Sequence, residues 1–129
     1  MYTFSKKSLE KINHPLFSPI LRGLLLKAIK DSPIDFTVIE TVRTLEKQKE
    51  YVQKGTSKTM KSRHIPYYNK SGYAEAFDIA PYPIDWNDTK RFDILAAHIK
   101  KKAKELYIPI TWGGDWKTLV DKPHFEITR

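Results

Sequence analysis

The 129-residue sequence contains no cysteine, which excludes both disulfides and thiolate-bound metals. Any zinc would therefore be bound by His, Asp or Glu. A long apolar run is also missing, because the most apolar stretch, residues 20–26, is interrupted by Arg22 and Gly23 and is too short to cross a bilayer. The first residues lack the apolar segment of a signal peptide. These absences predict a protein without a membrane span that is made in the cytoplasm.

Acidic residues are scarce relative to basic ones, with 15 Asp and Glu against 23 Lys and Arg, so the formal net charge is +8. A surface this positive favours polyanions such as nucleic acid, anionic lipid or bacterial wall polymers, and it does not distinguish among them. The length and the 40% hydrophobic content predict one folded domain with one core. We expect this domain to occupy residues 1–129, which leaves no room for a separate wall-binding domain.

The hydrophobic pattern changes between helical spacing and short β-branched or aromatic runs along the chain. Helices are predicted at Ser5–Ile12, Ser18–Lys30, Thr44–Lys54 and Asp88–Leu106. Strands are predicted at Asp35–Ile39, Glu75–Ala80, Ile108–Trp112 and His124–Thr128, and residues 55–73 form a polar loop. This order of elements predicts an α+β fold, with helices packed on a small and mostly antiparallel sheet.

Two histidines and one carboxylate could form a metal site. His64 lies in the polar loop and looks exposed, while His124 follows Pro123 and would share one strand face with Glu126. Asp78 is a carboxylate in an otherwise apolar strand, where it needs a partner. Two histidines and one carboxylate make a three-ligand zinc set with a position left for water. Taken singly, His64 fits an ordinary loop histidine better than a metal ligand, and a structural ion pair explains Asp78 as well as a metal does.

For other polar residues the sequence gives weaker indications of a functional role. Asp121, three residues before the second candidate histidine, could act as a base or simply form a turn, and Arg43 could stabilise an oxyanion or lie on the surface. Gln48 lies on the apolar stripe of its helix and is predicted to face inward and be hydrogen-bonded. His14 is predicted to be structural, and His98, off the apolar stripe of its helix, to face solvent.

The order of these motifs resembles the M15 family of zinc peptidases, and within it the phage endolysins of the L-alanyl-D-glutamate peptidase type. The resemblance runs from about Ser8 to Phe125. It is carried by Ser62-x-His64, Ala76-x-Asp78, Trp112-Gly113-Gly114-Asp115-Trp116 and Asp121-x-Pro123-His124-Phe125.

The resemblance implies that His64, Asp78 and His124 bind Zn²⁺, that Asp121 is the general base, and that Arg43 stabilises the oxyanion. It implies hydrolysis of the L-Ala–D-Glu bond in peptidoglycan stem peptides, leading to lysis of a bacterial host. We then expect a monomer that is made in the host cytoplasm, reaches the periplasm through a holin pore, and does not bind nucleic acid.

One departure from the family pattern lies between the first two ligands. The family usually has Ser-x-His-x-x-Gly-x-Ala-x-Asp, with seven positions from His to Asp, whereas His64 and Asp78 are fourteen positions apart. The extra residues fall within Ile65–Tyr73, here termed the inserted loop, and we expect them to reshape the substrate groove. Two alternatives remain: a D-Ala-D-Ala carboxypeptidase or dipeptidase with the same zinc site, and a basic nucleic-acid-binding module.

Overall fold

The structure, a computed structural model, describes residues 1–57 and 60–129. Its α-helices are α1 (Lys6–Ile12), α2 (Pro19–Ala28), α3 (Leu45–Gln53) and α4 (Thr89–Glu105). Single 3₁₀ turns lie at Ile29–Asp31, Pro66–Tyr68 and Gly113–Asp115. The strands are β1 (Phe36–Glu40), β2 (Ala76–Pro81), β3 (Ile110–Trp112) and β4 (His124–Ile127). All predicted helices and strands are confirmed with small shifts at their ends; Lys58 and Thr59 of the predicted 55–73 loop lie outside the described residues.

Side-chain caps explain where the helices begin. Ser5, Ser18, Thr44 and Asp88 each accept a hydrogen bond from a backbone N–H in the first turn of the helix that follows. Such caps satisfy backbone donors that have no partner within the helix. Because capping residues are recognisable in the sequence, the starts of these helices were predictable.

The four strands form one antiparallel sheet in the order β1-β2-β4-β3, which confirms the predicted α+β fold. Asp78 in β2 is paired with Glu40 on one side and with His124 on the other. Residues that are directly paired across neighbouring strands project from the same face of the sheet. The register therefore brings the side chains of Glu40, Asp78 and His124 together on one face. The pairing of β1 with β2 is irregular between Val38 and Glu40.

The opposite face of the sheet forms the core. Phe77 and Phe125 stack there with ring centroids 5.2 Å apart, and α2 and α4 contact each other above them. The apolar face is covered by buried side chains from these helices, which include Leu21, Leu24, Leu25, Leu95 and Ile99. In the described part of the chain, no helix is both long and apolar enough to span a bilayer.

The prediction that His98 faces solvent is wrong. Its side chain is buried where α4 packs against the end of α2, and its Nε2 donates to the carbonyl of Ala28 at 2.8 Å. The carbonyls at the end of a helix lack partners within the helix, so the imidazole satisfies one of them. Helix α4 is thus buried over a wider face than its apolar stripe indicates.

Candidate metal centre

His64, Asp78 and His124 converge on one point above the polar face of the sheet. The Oδ1 atom of Asp78 lies 3.1 Å from Nε2 of His64 and 3.0 Å from Nδ1 of His124. One ligand atom from each residue lies within 4.8 Å of the others. Across residues 1–57 and 60–129, no other group of three or more His, Asp or Glu side chains meets this condition.

This group of donors fits zinc. Two imidazole nitrogens and one carboxylate oxygen are ligands that zinc accepts, and ligands at its usual bond lengths in a tetrahedral site lie about 3.3 Å apart. The observed separations of 3.0 and 3.1 Å are close to that spacing. Three protein ligands also leave one coordination position open, which is typical of catalytic rather than structural zinc sites.

The far nitrogen of each histidine is bound by the protein. Nδ1 of His64 donates to the carbonyl of Thr41 at 2.8 Å, which leaves Nε2 to face Asp78. Nε2 of His124 lies 2.8 Å from Oε1 of Glu126, which leaves Nδ1 to face the same carboxylate. Hydrogen bonds of this kind fix the tautomer and orientation of metal-binding histidines. Both rings are therefore held in the orientation that a metal requires.

His64 is almost fully buried, with 1% of its surface exposed, in contrast to its exposed appearance in the sequence. The inserted loop does not separate it from Asp78, because the loop closes on itself. The amide nitrogen of Asn69 donates to the carbonyls of Arg63 at 2.9 Å and Tyr73 at 2.8 Å, which bridges the two ends of the loop. The two ends of the loop thus lie next to each other, and the backbone N–H of Glu75 donates to the carbonyl of Arg63 at 3.0 Å.

Burial and mutual contact change the ionisation of these residues. Burial raises the pKa of Asp78, but hydrogen bonds with His124 and His64 outweigh it and hold that pKa far below the usual range. Burial lowers the pKa of His124, but the carboxylates of Asp78 and Glu126 outweigh it and raise the pKa to about 9. At neutral pH this raised pKa favours the cationic, doubly protonated His124 in the metal-free site, so binding a metal through Nδ1 must release one proton.

A cavity of about 810 Å³ opens beside the three ligands and is lined by both predicted catalytic residues, Asp121 and Arg43. Burial and the charge of Asp78 raise the pKa of the Asp121 carboxyl. The backbone N–H of Asp121 donates to the carbonyl of Gly113 at 3.0 Å. A Cβ atom at position 113 would collide with the backbone carbonyl of Asp121, so glycine at this position is required for the approach.

Arg43 is fixed at the wall of the cavity by several contacts. Its Nε and Nη2 both donate to the carboxylate of Glu40, with Nε 3.1 Å from Oε1. Its Nη1 donates to Oε1 of Gln48 at 2.7 Å, and its guanidinium lies 4.6 Å from the centre of the Tyr51 ring. Gln48 is fully buried, which confirms its predicted inward orientation. These contacts hold the guanidinium in one plane at the cavity.

Three charged residues of the site were not predicted from the sequence to belong to it. Glu40 holds Arg43, Glu126 contacts His124, and Arg63 forms ion pairs with Glu126 and Glu75. The alternation of side chains along β4 predicts that Glu126 shares a face with His124, but the hydrogen bond between them is visible only in the structure. Arg63 gave no signal beyond lying next to His64.

Comparison with known proteins bears on what this site does. The sequence profile of the phage L-alanyl-D-glutamate peptidase family matches residues 1–129. The L-alanyl-D-glutamate peptidase of Escherichia phage T5 is 32% identical over 134 residues, which covers 99% of this chain and 90% of that protein. The peptidase of the same name from Listeria phage A118 is 36% identical over 103 residues, which covers 79% of this chain and 34% of that protein.

Solved structures give a similar result. The L-Ala D-Glu endopeptidase ChiX of Serratia marcescens has a TM-score of 0.83 at 30% identity, covering 98% of this chain and 90% of that one. The vancomycin-resistance D,D-dipeptidase VanXYg has a TM-score of 0.51 at 11% identity, covering 86% of this chain and 50% of that one. The second likeness concerns the fold alone.

Proposed function

This chain belongs to the phage L-alanyl-D-glutamate peptidase family, and on that premise we propose that it cleaves the L-Ala–D-Glu bond of bacterial peptidoglycan stem peptides as a zinc enzyme. It is a peptidase of the endolysin type. The observation that carries the proposal is the convergence of His64, Asp78 and His124 beside the cavity that Asp121 and Arg43 line.

The three converging residues are the proposed zinc ligands. His64 would bind through Nε2, His124 through Nδ1 and Asp78 through its carboxylate, since these atoms face one another. When bound, zinc supplies a Lewis acid and lowers the pKa of a coordinated water toward about 7. The Thr41 carbonyl and the Glu126 carboxylate keep both imidazoles in their ligating tautomers.

Asp121 and Arg43 are the proposed catalytic residues. Asp121 would take the proton from the attacking water, because its carboxylate lies in the cavity wall beside the three proposed ligands. Arg43 faces the negative charge that develops on the scissile carbonyl oxygen. Because Glu40 and Gln48 already hold its guanidinium, little reorganisation is needed as that charge forms.

We further propose that residues 1–129 form one catalytic domain that acts as a monomer on peptidoglycan. The family acts on the bacterial wall, so the enzyme has to reach it from the host cytoplasm, where we infer it is made. Release through a holin pore would deliver it to the periplasm. The high positive charge favours its association with an anionic envelope.

The test is digestion of purified sacculi, with zinc content measured for each protein by elemental mass spectrometry. The wild type should bind one zinc and release new N-terminal D-Glu. His124→Ala should lose both zinc and activity, whereas Asp121→Ala should keep most of its zinc and lose activity.

Matched controls come from residues of the same type outside the site. His14→Ala removes a histidine that does not line the cavity, and Asp115→Ala removes a carboxylate paired with Lys100 at the surface. Both should retain zinc and activity. Release of D-Ala alone would instead support the D-Ala-D-Ala peptidase alternative, and a fully active Asp121→Ala would reject the assigned base. Metal-independent binding of DNA without lysis would support the nucleic-acid alternative.

A further inference from the structure

Arg63 lies beside the proposed zinc ligands at the wall of the same cavity, where it contacts two carboxylates and one side-chain amide. Its Nη2 lies 2.8 Å from Oε1 of Glu75, its Nη1 lies 3.4 Å from Oε2 of Glu126, and its Nε lies 3.0 Å from Oδ1 of Asn69. Only 10% of its side-chain surface is exposed. A buried guanidinium with this many acceptors has one permitted orientation, because its donors form a rigid planar fork.

Glu126 transmits this arrangement to a proposed zinc ligand. One of its oxygens accepts from Nε2 of His124 at 2.8 Å, and the other faces Arg63. A carboxylate that is bound at both oxygens cannot rotate without breaking one of these contacts. Arg63 therefore restricts the rotation of the carboxylate that His124 contacts.

The same guanidinium also involves the inserted loop. Asn69 is buried in that loop, and its side-chain oxygen accepts from Arg63 and from Nη2 of Arg129, the latter at 2.7 Å. Its amide nitrogen closes the loop through the carbonyls of Arg63 and Tyr73. Arg63 directly precedes His64, and it contacts Glu126 in β4, the strand that also carries His124. It therefore connects the chain segments of two proposed ligands.

We propose that Glu126 and Arg63 are positioning residues for zinc binding, with Glu126 orienting His124 and Arg63, held by the inserted loop, orienting Glu126. This inference rests on the proposed function, because it takes His124 to be a zinc ligand. Carboxylates that accept from metal-bound histidines typically change metal affinity 10- to 100-fold when they are replaced. A purely structural ion pair would change stability without changing metal affinity.

The chain offers a matched control in Glu75. Its side chain is 18% exposed against 19% for Glu126, and it pairs with the same guanidinium, but it makes no described contact with His124. Glu75→Gln and Glu126→Gln therefore each remove one carboxylate charge from Arg63. The first leaves the hydrogen bond to the proposed ligand intact, and the second weakens it.

The experiment measures Zn²⁺ affinity by competition with a chromophoric chelator, together with the thermal midpoint of each chelated protein. We expect Glu126→Gln to bind Zn²⁺ about 10- to 100-fold more weakly than wild type. Glu75→Gln should stay within about threefold, while both variants lose thermal stability to a similar degree. Arg63→Lys keeps the positive charge but loses the planar guanidinium donors that contact Glu75 and Glu126 together, and it should weaken Zn²⁺ binding by about threefold or more.

Several results would overturn the inference. Wild-type affinity in Glu126→Gln would do so, as would an equal loss of affinity in Glu75→Gln. If Glu126→Gln does not fold, Arg63→Lys decides the question, and unchanged affinity in that folded variant rejects the role. A wild type that binds no Zn²⁺ would instead reject the proposed function, which separates the two failures.

Discussion

Replacing Gly113 by alanine should be costly, and the structure indicates why. The added Cβ would meet the backbone carbonyl of Asp121, which cannot rotate away as a flexible side chain could. Overpacking of this kind costs about 1–3 kcal/mol, and loss of the hydrogen bond from the Asp121 N–H to the Gly113 carbonyl adds about 1 kcal/mol. We therefore expect a loss of about 2–4 kcal/mol in the free energy of unfolding.

That loss can be converted to a change in melting temperature. An unfolding entropy of about 2.1 cal/mol/K per residue gives about 0.27 kcal/mol/K for this chain, so the midpoint should fall by about 7–15 °C. Activity on sacculi should fall on the order of 100-fold, because displacing Asp121, the proposed base, by about 1 Å would have that effect. Calorimetry at one fixed zinc concentration, combined with the sacculus assay, measures both changes.

Gly23 provides the matched control, because the same substitution there should have the opposite sign. It lies within α2, and a Cβ at this position would have no heavy atom within 4 Å. Gly23→Ala should raise the free energy of unfolding by about 0.5–1 kcal/mol and leave activity unchanged. A Gly113→Ala protein that melts within 2 °C of wild type would refute the steric argument, as would equal losses in the two variants.

Three further predictions concern stability. Ser18→Ala removes the cap that accepts from the Leu21 N–H at 3.3 Å and should cost about 0.5–2 kcal/mol in urea unfolding; an unchanged midpoint would count against that cap. His98→Phe leaves the buried carbonyl of Ala28 without its donor and should cost about 1–3 kcal/mol, measured in the same way. In chelated protein, His124 has a pKa of about 9, above its ordinary value of 6.5, so it binds protons more tightly when folded. Its contribution to stability is complete below pH 6.5 and is lost as the pH rises through about 9, and His124→Ala should remove this decline from a pH series of unfolding curves.

Local signals explain why most of the fold was predictable. Capping residues such as Ser18 and Thr44 mark helix starts within a few residues of the sequence, and apolar spacing marks the face that is buried. The orientation of Gln48 followed from the same spacing. His98 was not predictable in this way, because the group that buries it is the end of a helix 70 residues earlier in the chain.

The site was less accessible to sequence reasoning, because its contacts join distant segments. The proposed ligands followed from a family resemblance rather than from their spacing, which departs from the usual pattern between His64 and Asp78. Arg63 and Glu126 are 63 residues apart, and neither residue type nor spacing indicates that they meet. Only the pairing of β2 with β4 and the return of the inserted loop bring them together.

The closed ends of the inserted loop have a consequence for how this fold can change. Since Asn69 bridges the carbonyls of Arg63 and Tyr73, the length of chain between these points does not set the distance between His64 and Asp78, two of the proposed ligands. Lengthening such a loop costs little entropy, about 0.6 kcal/mol for each doubling. The Tyr67 side chain of this loop is 79% exposed, so the loop is a suitable insertion point for a wall-targeting peptide in an engineered enzyme.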